Sequence, residues 1–322
     1  MRDETDGILL QEWAYDAIAR NSRHIFRQEA EVLADSSPGS LHGMRVAIRR
    51  LESAVGALEL VLELPKKVSE ANIAKIGRSL SKLRNFDVLI RTLKDDYEPL
   101  LAGNERRTLD KVFKSLNKQR AKEFNRLRKA LNRQSYSDFK QELQNWLKQP
   151  KYKSIGNYSL DVVLPDLLLP QLAQLLLHPG WLVGIDFTEG EMTLPQTLNQ
   201  ESVKELLAAT DSILHHLRRT VKKTRYVLEL FEPLYSDDYR DRVEQIGQIQ
   251  QVLGEIQDFN VLKQTLEQNF KSEIAVKMPE FAAHFLLARY RKWLEWQTLQ
   301  TRFLDSQTRW ELRQAVQQPW QP

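Results

Sequence analysis

A register of 173 residues constrains this chain more than any other feature of it. Sliding the sequence by that distance places 41–93 on 214–266 without a gap, so that "LHGMRVAIRR" falls on "LHHLRRTVKK" and "LSKLRNFDVLIRTL" on "LGEIQDFNVLKQTL". Leu80, Phe86, Val88, Leu89, Thr92 and Leu93 meet Leu253, Phe259, Val261, Leu262, Thr265 and Leu266. Agreement in two separated blocks at one offset reads as an internal duplication.

The repeated stretches are helical by pattern. Apolar residues recur at three and four, and few segments alternate with the two-residue period of strands. Only 12 Gly and 12 Pro punctuate 322 residues, which suits long helices. The spacing predicts helices at 8–34, 38–64, 70–95, 104–132, 137–148, 201–231, 238–269 and 278–305, with Ser37 and Pro38 as N-cap and first-turn proline of the second. Five of the 12 prolines and four of the 12 glycines fall in 150–200, read as a connector with a short helix at 166–177. The expected fold is all-α: two four-helix bundles related by internal duplication with pseudo-twofold symmetry, over 1–150 and 201–322, joined by a connector at 151–200.

On the repeated helices each residue advances about 100°. Met44, Ile48, Leu51, Val55 and Leu58 then form one apolar stripe, and Leu217, Val221, Leu228 and Phe231 its counterpart. Beside the first runs a row of His42, Arg45 and Arg49, with Arg50 adjacent; beside the second run His215, Arg218, Lys222 and Arg225, with Lys223 adjacent. A solvated helix face is the plain alternative. Like charges at helical spacing repel, however, and the His-plus-base pattern occurs in both copies, which suits an extended anion. Arg20, Arg23, His24 and Arg27, then Lys75, Arg78 and Lys82, then Lys114, Lys118, Lys122 and Arg126 are further anion contacts to test. Residues 1–150 carry 28 Lys and Arg against 21 Asp and Glu, while 151–322 carry 19 against 22, so the first half is favoured for an anionic partner.

The two base rows resemble those of the CHAD domain, the conserved histidine α-helical domain, whose helices read roughly His-x-x-Arg-x-x-x-Arg/Lys-Arg/Lys-x-Arg. His42, Arg45, Arg49 and Arg50 match the first, and His215, Arg218, Lys222, Lys223, Arg225 and Tyr226 the second. The family's "Leu-Gly-x-x-x-Asp" is matched by "LGEIQD" with Asp258, which the resemblance gives a supporting role. It implies a basic surface or pore along a pseudo-twofold axis and binding of inorganic polyphosphate, with some members associated with polyphosphate granules. Three positions depart from the pattern: Glu52 replaces the last Arg of the first motif, Asn85 the first-half Asp, and Ser81 a Gly. For His42 and His215 two roles stand open, donors to the ligand or packing between helices.

Other classes are weaker. A nucleic-acid module should interleave aromatics with its bases, and Tyr226 alone does so. For an enzyme there is no GxxxxGK loop and no HExxH, and "EGEMT" at 189–193 has Thr where a triphosphate-tunnel strand needs Lys. The expectation is therefore a binding protein without catalytic residues, cofactor or metal site. With no Cys there is no thiol chemistry and no disulfide framework. The acidic start "MRDETDGILLQEW" lacks a signal-peptide core, and prolines and polar residues interrupt the apolar window 160–184, so a cytoplasmic protein without a membrane span is expected. The oligomeric state is left open.

Overall fold

The computed structural model describes residues 7–188, 191–193 and 198–319. It is all-α apart from one short hairpin. The helices are α1 (Leu10–Leu33), α2 (Pro38–Ala57), α3 (Glu70–Thr92), α4 (Gly103–Leu131), α5 (Gln134–Lys148), α6 (Leu160–Leu176), α7 (Gln200–Ala209), α8 (Asp211–Phe231), α9 (Asp237–Phe270), α10 (Ile274–Lys277), α11 (Pro279–Leu304) and α12 (Ser306–Gln317). Strands β1 (Asp186–Thr188) and β2 (Glu191–Thr193) pair antiparallel, Phe187 opposite Met192. A strand therefore does form in part of "EGEMT", where none was expected; Glu189 and Gly190 of that stretch lie outside the described residues.

Two compact units divide the chain. One holds the residues up to Asp96 with Phe113–Leu164; the other holds Tyr97–Val112 with everything from Pro165. This differs from boundaries at 150 and 200, and Glu105 shows why for the second unit. Its buried carboxylate accepts from the backbone N–H groups of Glu280 at 2.8 Å and Phe281 at 2.9 Å, capping the start of α11. An anion there satisfies orphan donors and complements the helix dipole. Tyr97 packs on Phe281 with ring centroids 4.6 Å apart.

In the first unit α2 packs between α1 and α3. Ser37 caps α2 by accepting from the Gly39 N–H at 3.0 Å, with Pro38 in the first turn, as expected. Met44, Ile48, Leu51 and Leu58 are fully buried, so the apolar stripe is the core face. Truncating any one to Ala would cost about 2–5 kcal/mol. The helix stops at Ala57 rather than near 64, because the chain turns to pair with 151–153: the Glu63 N–H donates to Lys151 at 3.1 Å, and the Lys153 N–H to Val61 at 2.8 Å. Pro65 reinforces this by holding Leu64 out of the helical region.

In the second unit α8 packs on α9, and α9 on α11. Leu217, Val221, Leu228 and Phe231 are buried, again as the pattern predicts. The helix expected over 201–231 is broken at Thr210. Asn199 caps α7 through the Ser202 N–H at 2.9 Å, and the Thr210 hydroxyl bonds back to the Leu206 carbonyl at 2.6 Å. The segment read as a short helix at 166–177 is α6, which keeps Pro165 and Pro170 inside it. Leu160–Leu182 is long and apolar enough to cross a membrane by length and composition, yet Leu168, Leu172, Leu175 and Leu176 are buried in the fold.

Candidate functional site

Each motif helix turns its base row along the helix it packs against, and the two units solve the problem differently.

On α8, His215, Arg218, Lys222, Arg225 and Tyr226 are half-buried and Lys223 is exposed. The guanidiniums of Arg218 and Arg225 lie over glycines of α9. A Cβ at Gly254 would sit 3.4 Å from Arg218 Nη2, and one at Gly247 would sit 3.2 Å from Arg225 Cζ. Two arginines seven apart thus rest on two glycines seven apart, which the antiparallel packing of two helices allows. Arg225 Nε also donates to Glu229 at 2.7 Å, so that base is partly neutralised within its own helix. His215 Nδ1 and Arg218 Nε are buried and, among the described residues, have no hydrogen-bond partner. Buried polar atoms are nearly always paired, and these two lie in one base row. Asp258, exposed on α9, lies one turn beyond Gly254.

On α2, His42 and Arg50 are exposed while Arg45 and Arg49 are half-buried. Ser81, the departure from glycine on α3, receives the Arg49 guanidinium: Nη2 donates to its hydroxyl at 3.2 Å. The proton of His42 is disfavoured by partial burial and then by Arg45, Arg84, Arg91 and Arg49. Arg84 and Arg91 on α3 therefore belong to this face, and the sequence reading missed them. Their spacing of two turns was a usable signal, hidden because the equivalent positions 257 and 264 are Gln. Burial also raises the pKa of Glu52, against Arg49; Glu70 adds to the rise and Arg78 opposes it. Arg78 is thereby brought to the α2 face.

The remaining expected contacts are scattered more widely. Arg20, Arg23, His24 and Arg27 are exposed on α1, Lys75 and Lys82 on α3, and Lys114, Lys118, Lys122 and Arg126 on α4. None of them is among the charges acting on His42, and Arg126 is paired with Glu123 on its own helix.

Each unit also holds a polar latch between helices. Arg120 of α4 donates through both terminal nitrogens to Asp35, at 2.7 and 2.8 Å, and through Nε to Asp87 of α3 at 2.7 Å. Asp35 occupies the left-handed region, φ 51°, at the turn into α2. These bonds, the Asp35 bond first, hold the Arg120 charge strongly. In the other unit Arg289 of α11, itself buried, donates to Asn260 of α9 at 2.9 Å, and Asn260 donates to Asp211 at the start of α8. Asp87 and Asn260 are equivalent at the 173-residue offset.

Among the described residues no group of three or more His, Asp and Glu side chains is placed to hold a metal ion. The fold is shared with solved structures. The crystal structure of the CHAD domain from the plant Ricinus communis matches with a TM-score of 0.61 at 21% identity, over 97% of this chain and 92% of that one. PptA from Streptomyces chartreusis matches with a TM-score of 0.56 at 13% identity, over 97% of this chain and 100% of that one. No curated protein matches the sequence. The CHAD domain family model matches residues 16–267. That span takes in both motif helices and the helices that floor them, and the chain belongs to the CHAD domain family.

Proposed function

We propose that the protein binds inorganic polyphosphate, with the base rows of α2 and α8 as its contact surfaces. The observation that carries this reading is the pair of buried, unpartnered nitrogens on α8, His215 Nδ1 and Arg218 Nε. A buried orphan nitrogen costs about 1–3 kcal/mol, which an anionic oxygen at that position offsets. The helix core holds these groups in place beforehand, so little ordering cost falls on binding. Polyphosphate presents a charge on every interior phosphate and neither base nor sugar, which suits forked Arg donors spread along a helix. Membership of the CHAD family supports the same ligand class. The proposed role is binding without turnover.

Displacement of labelled long-chain polyphosphate tests the reading. Unlabelled polyphosphate should compete at about tenfold lower charge concentration than matched-charge RNA or heparin. Equal competition by RNA would make the faces general polyanion surfaces. Orthophosphate release that disappears in His42→Ala or His215→Ala would replace binding with catalysis.

A further inference from the structure

Beside the row of His215, Arg218 and Lys222, α8 bears a second one, which takes in Lys223 of the family motif and adds two residues outside it. His216, Arg219 and Lys223 stand at spacings of three and four, and all three are exposed. They lie one residue, about 100°, around the helix from His215, Arg218 and Lys222. Among the described residues neither Arg219 nor Lys223 has an ion-pair partner. His216 differs from an ordinary surface histidine because a second, buried histidine holds it.

His178 is 7% exposed and caps the 3-10 turn Pro179–Leu182. Its Nδ1 accepts from the Gly180 N–H at 2.9 Å, so in the neutral ring the proton resides on Nε2. That Nε2 lies 2.6 Å from Nδ1 of His216 and donates to it. With Nδ1 of His216 used as an acceptor, its own proton must be on Nε2, the nitrogen not used within the pair.

The turn cannot readily give way to the other tautomer. Trp181 donates to the Leu175 carbonyl at 2.7 Å and stacks on Trp296 and Phe303, with centroids 5.3 and 5.4 Å away. Gln300 donates to the carbonyls of Trp181 and Val183 at 2.6 and 2.9 Å. A Cβ at Gly180 would come within 2.8 Å of Leu217 Cβ, so the turn is pressed onto α8. Burial and the neighbouring His216 both disfavour a charge on His178, which keeps it the neutral donor.

The first unit has no such row. At the 173-residue offset the equivalents are Gly43, Val46 and Arg50, and Gly43 faces Gln28 of α1, 3.6 Å from where its Cβ would be. We propose that His216, Arg219 and Lys223 form a second row of donors to phosphate oxygens on α8, with His178 a positioning residue that fixes His216 as an Nε2–H donor. The proposal rests on the polyphosphate reading and enlarges its site in one unit only.

Nitrogen-15 NMR of the histidine rings, combined with polyphosphate titration, tests it. In the unaltered protein His216 should appear as the Nε2–H tautomer. His216→Ala should weaken binding about fivefold to tenfold, the net worth of one ordinary solvent-exposed hydrogen bond. His216→Gln, which places an amide nitrogen near the Nε2 position, should restore most of the affinity, and His216→Asn should not. An Nδ1–H tautomer, or His216→Ala binding as tightly as the parent while Arg218→Glu with Lys222→Glu lowers affinity about a hundredfold, overturns this inference and leaves the polyphosphate reading intact. No polyphosphate binding by the parent protein overturns both.

Discussion

The α8 and α2 faces, aligned at the 173-residue offset, reach a base row by different means. On α8 the helix supplies the charges itself, and α9 contributes room: Gly254 and Gly247 under Arg218 and Arg225. On α2 the floor is Ser81, which bonds Arg49, and the position of Arg225 is taken by Glu52. Compensation comes from α3, where Arg84 and Arg91 act on His42 while α9 has Gln257 and Gln264. The two halves therefore agree in where positive charge gathers, and not in which residues carry it. The latches differ in the same way, with Arg120 meeting two carboxylates and Arg289 meeting an amide linked to one.

Charge reversal on one face at a time probes that difference most strongly. Arg218→Glu with Lys222→Glu should lower polyphosphate affinity about a hundredfold at low salt, and Arg45→Glu with Arg49→Glu about tenfold, because Arg84 and Arg91 remain. Anisotropy titrations that rank the pairs the other way would break the comparison. The latches come next. Arg120→Ala leaves Asp87 and Asp35 without their main partner and should lower stability by about 2–3 kcal/mol in urea unfolding. Asp87→Asn, which copies the other unit, should cost less than half of that.

Gly254→Leu should separate binding from stability. Helix propensity gains up to about 1 kcal/mol, offsetting part of the crowding, while the displaced Arg218 guanidinium lowers affinity about tenfold. An affinity that holds would show that the glycine floor is incidental. The smallest effect is a pH dependence. The folded pKa of His42 lies below the ordinary 6.5, so the unfolded chain binds more protons and stability is lost as pH falls through that value. His42→Asn should reduce this loss. Bound polyphosphate favours the imidazolium, so affinity should rise over the same window; urea midpoints at about pH 7.5 and about pH 5.5, with and without ligand, read both signs.

What was legible in the sequence was whatever repeats with the period of a helix. The stripes from Met44 to Leu58 and from Leu217 to Phe231 are buried as their spacing requires, and Ser37 caps as its place before Pro38 suggests. Features that depend on distant chain were hidden. The stop of α2 at Ala57 comes from pairing with 151–153, and Tyr97–Val112 joins the second unit through Glu105, which caps a helix 175 residues on. Arg84 and Arg91 look like ordinary surface bases until the docking of α3 on α2 sets which way α3 turns. The Arg225–Glu229 pair, by contrast, is legible in the sequence as opposite charges at a spacing of four.

The central claim is that the two base rows bind polyphosphate through charge. It is tested most directly by measuring binding of long-chain polyphosphate at low and high salt to the parent protein and to a variant with Arg45, Arg49, Arg218 and Lys222 changed to Glu. The expected result is parent affinity that falls steeply with salt, by counterion release, and a variant of unchanged helicity that does not bind. Binding that ignores salt, or that survives the four substitutions, would contradict it.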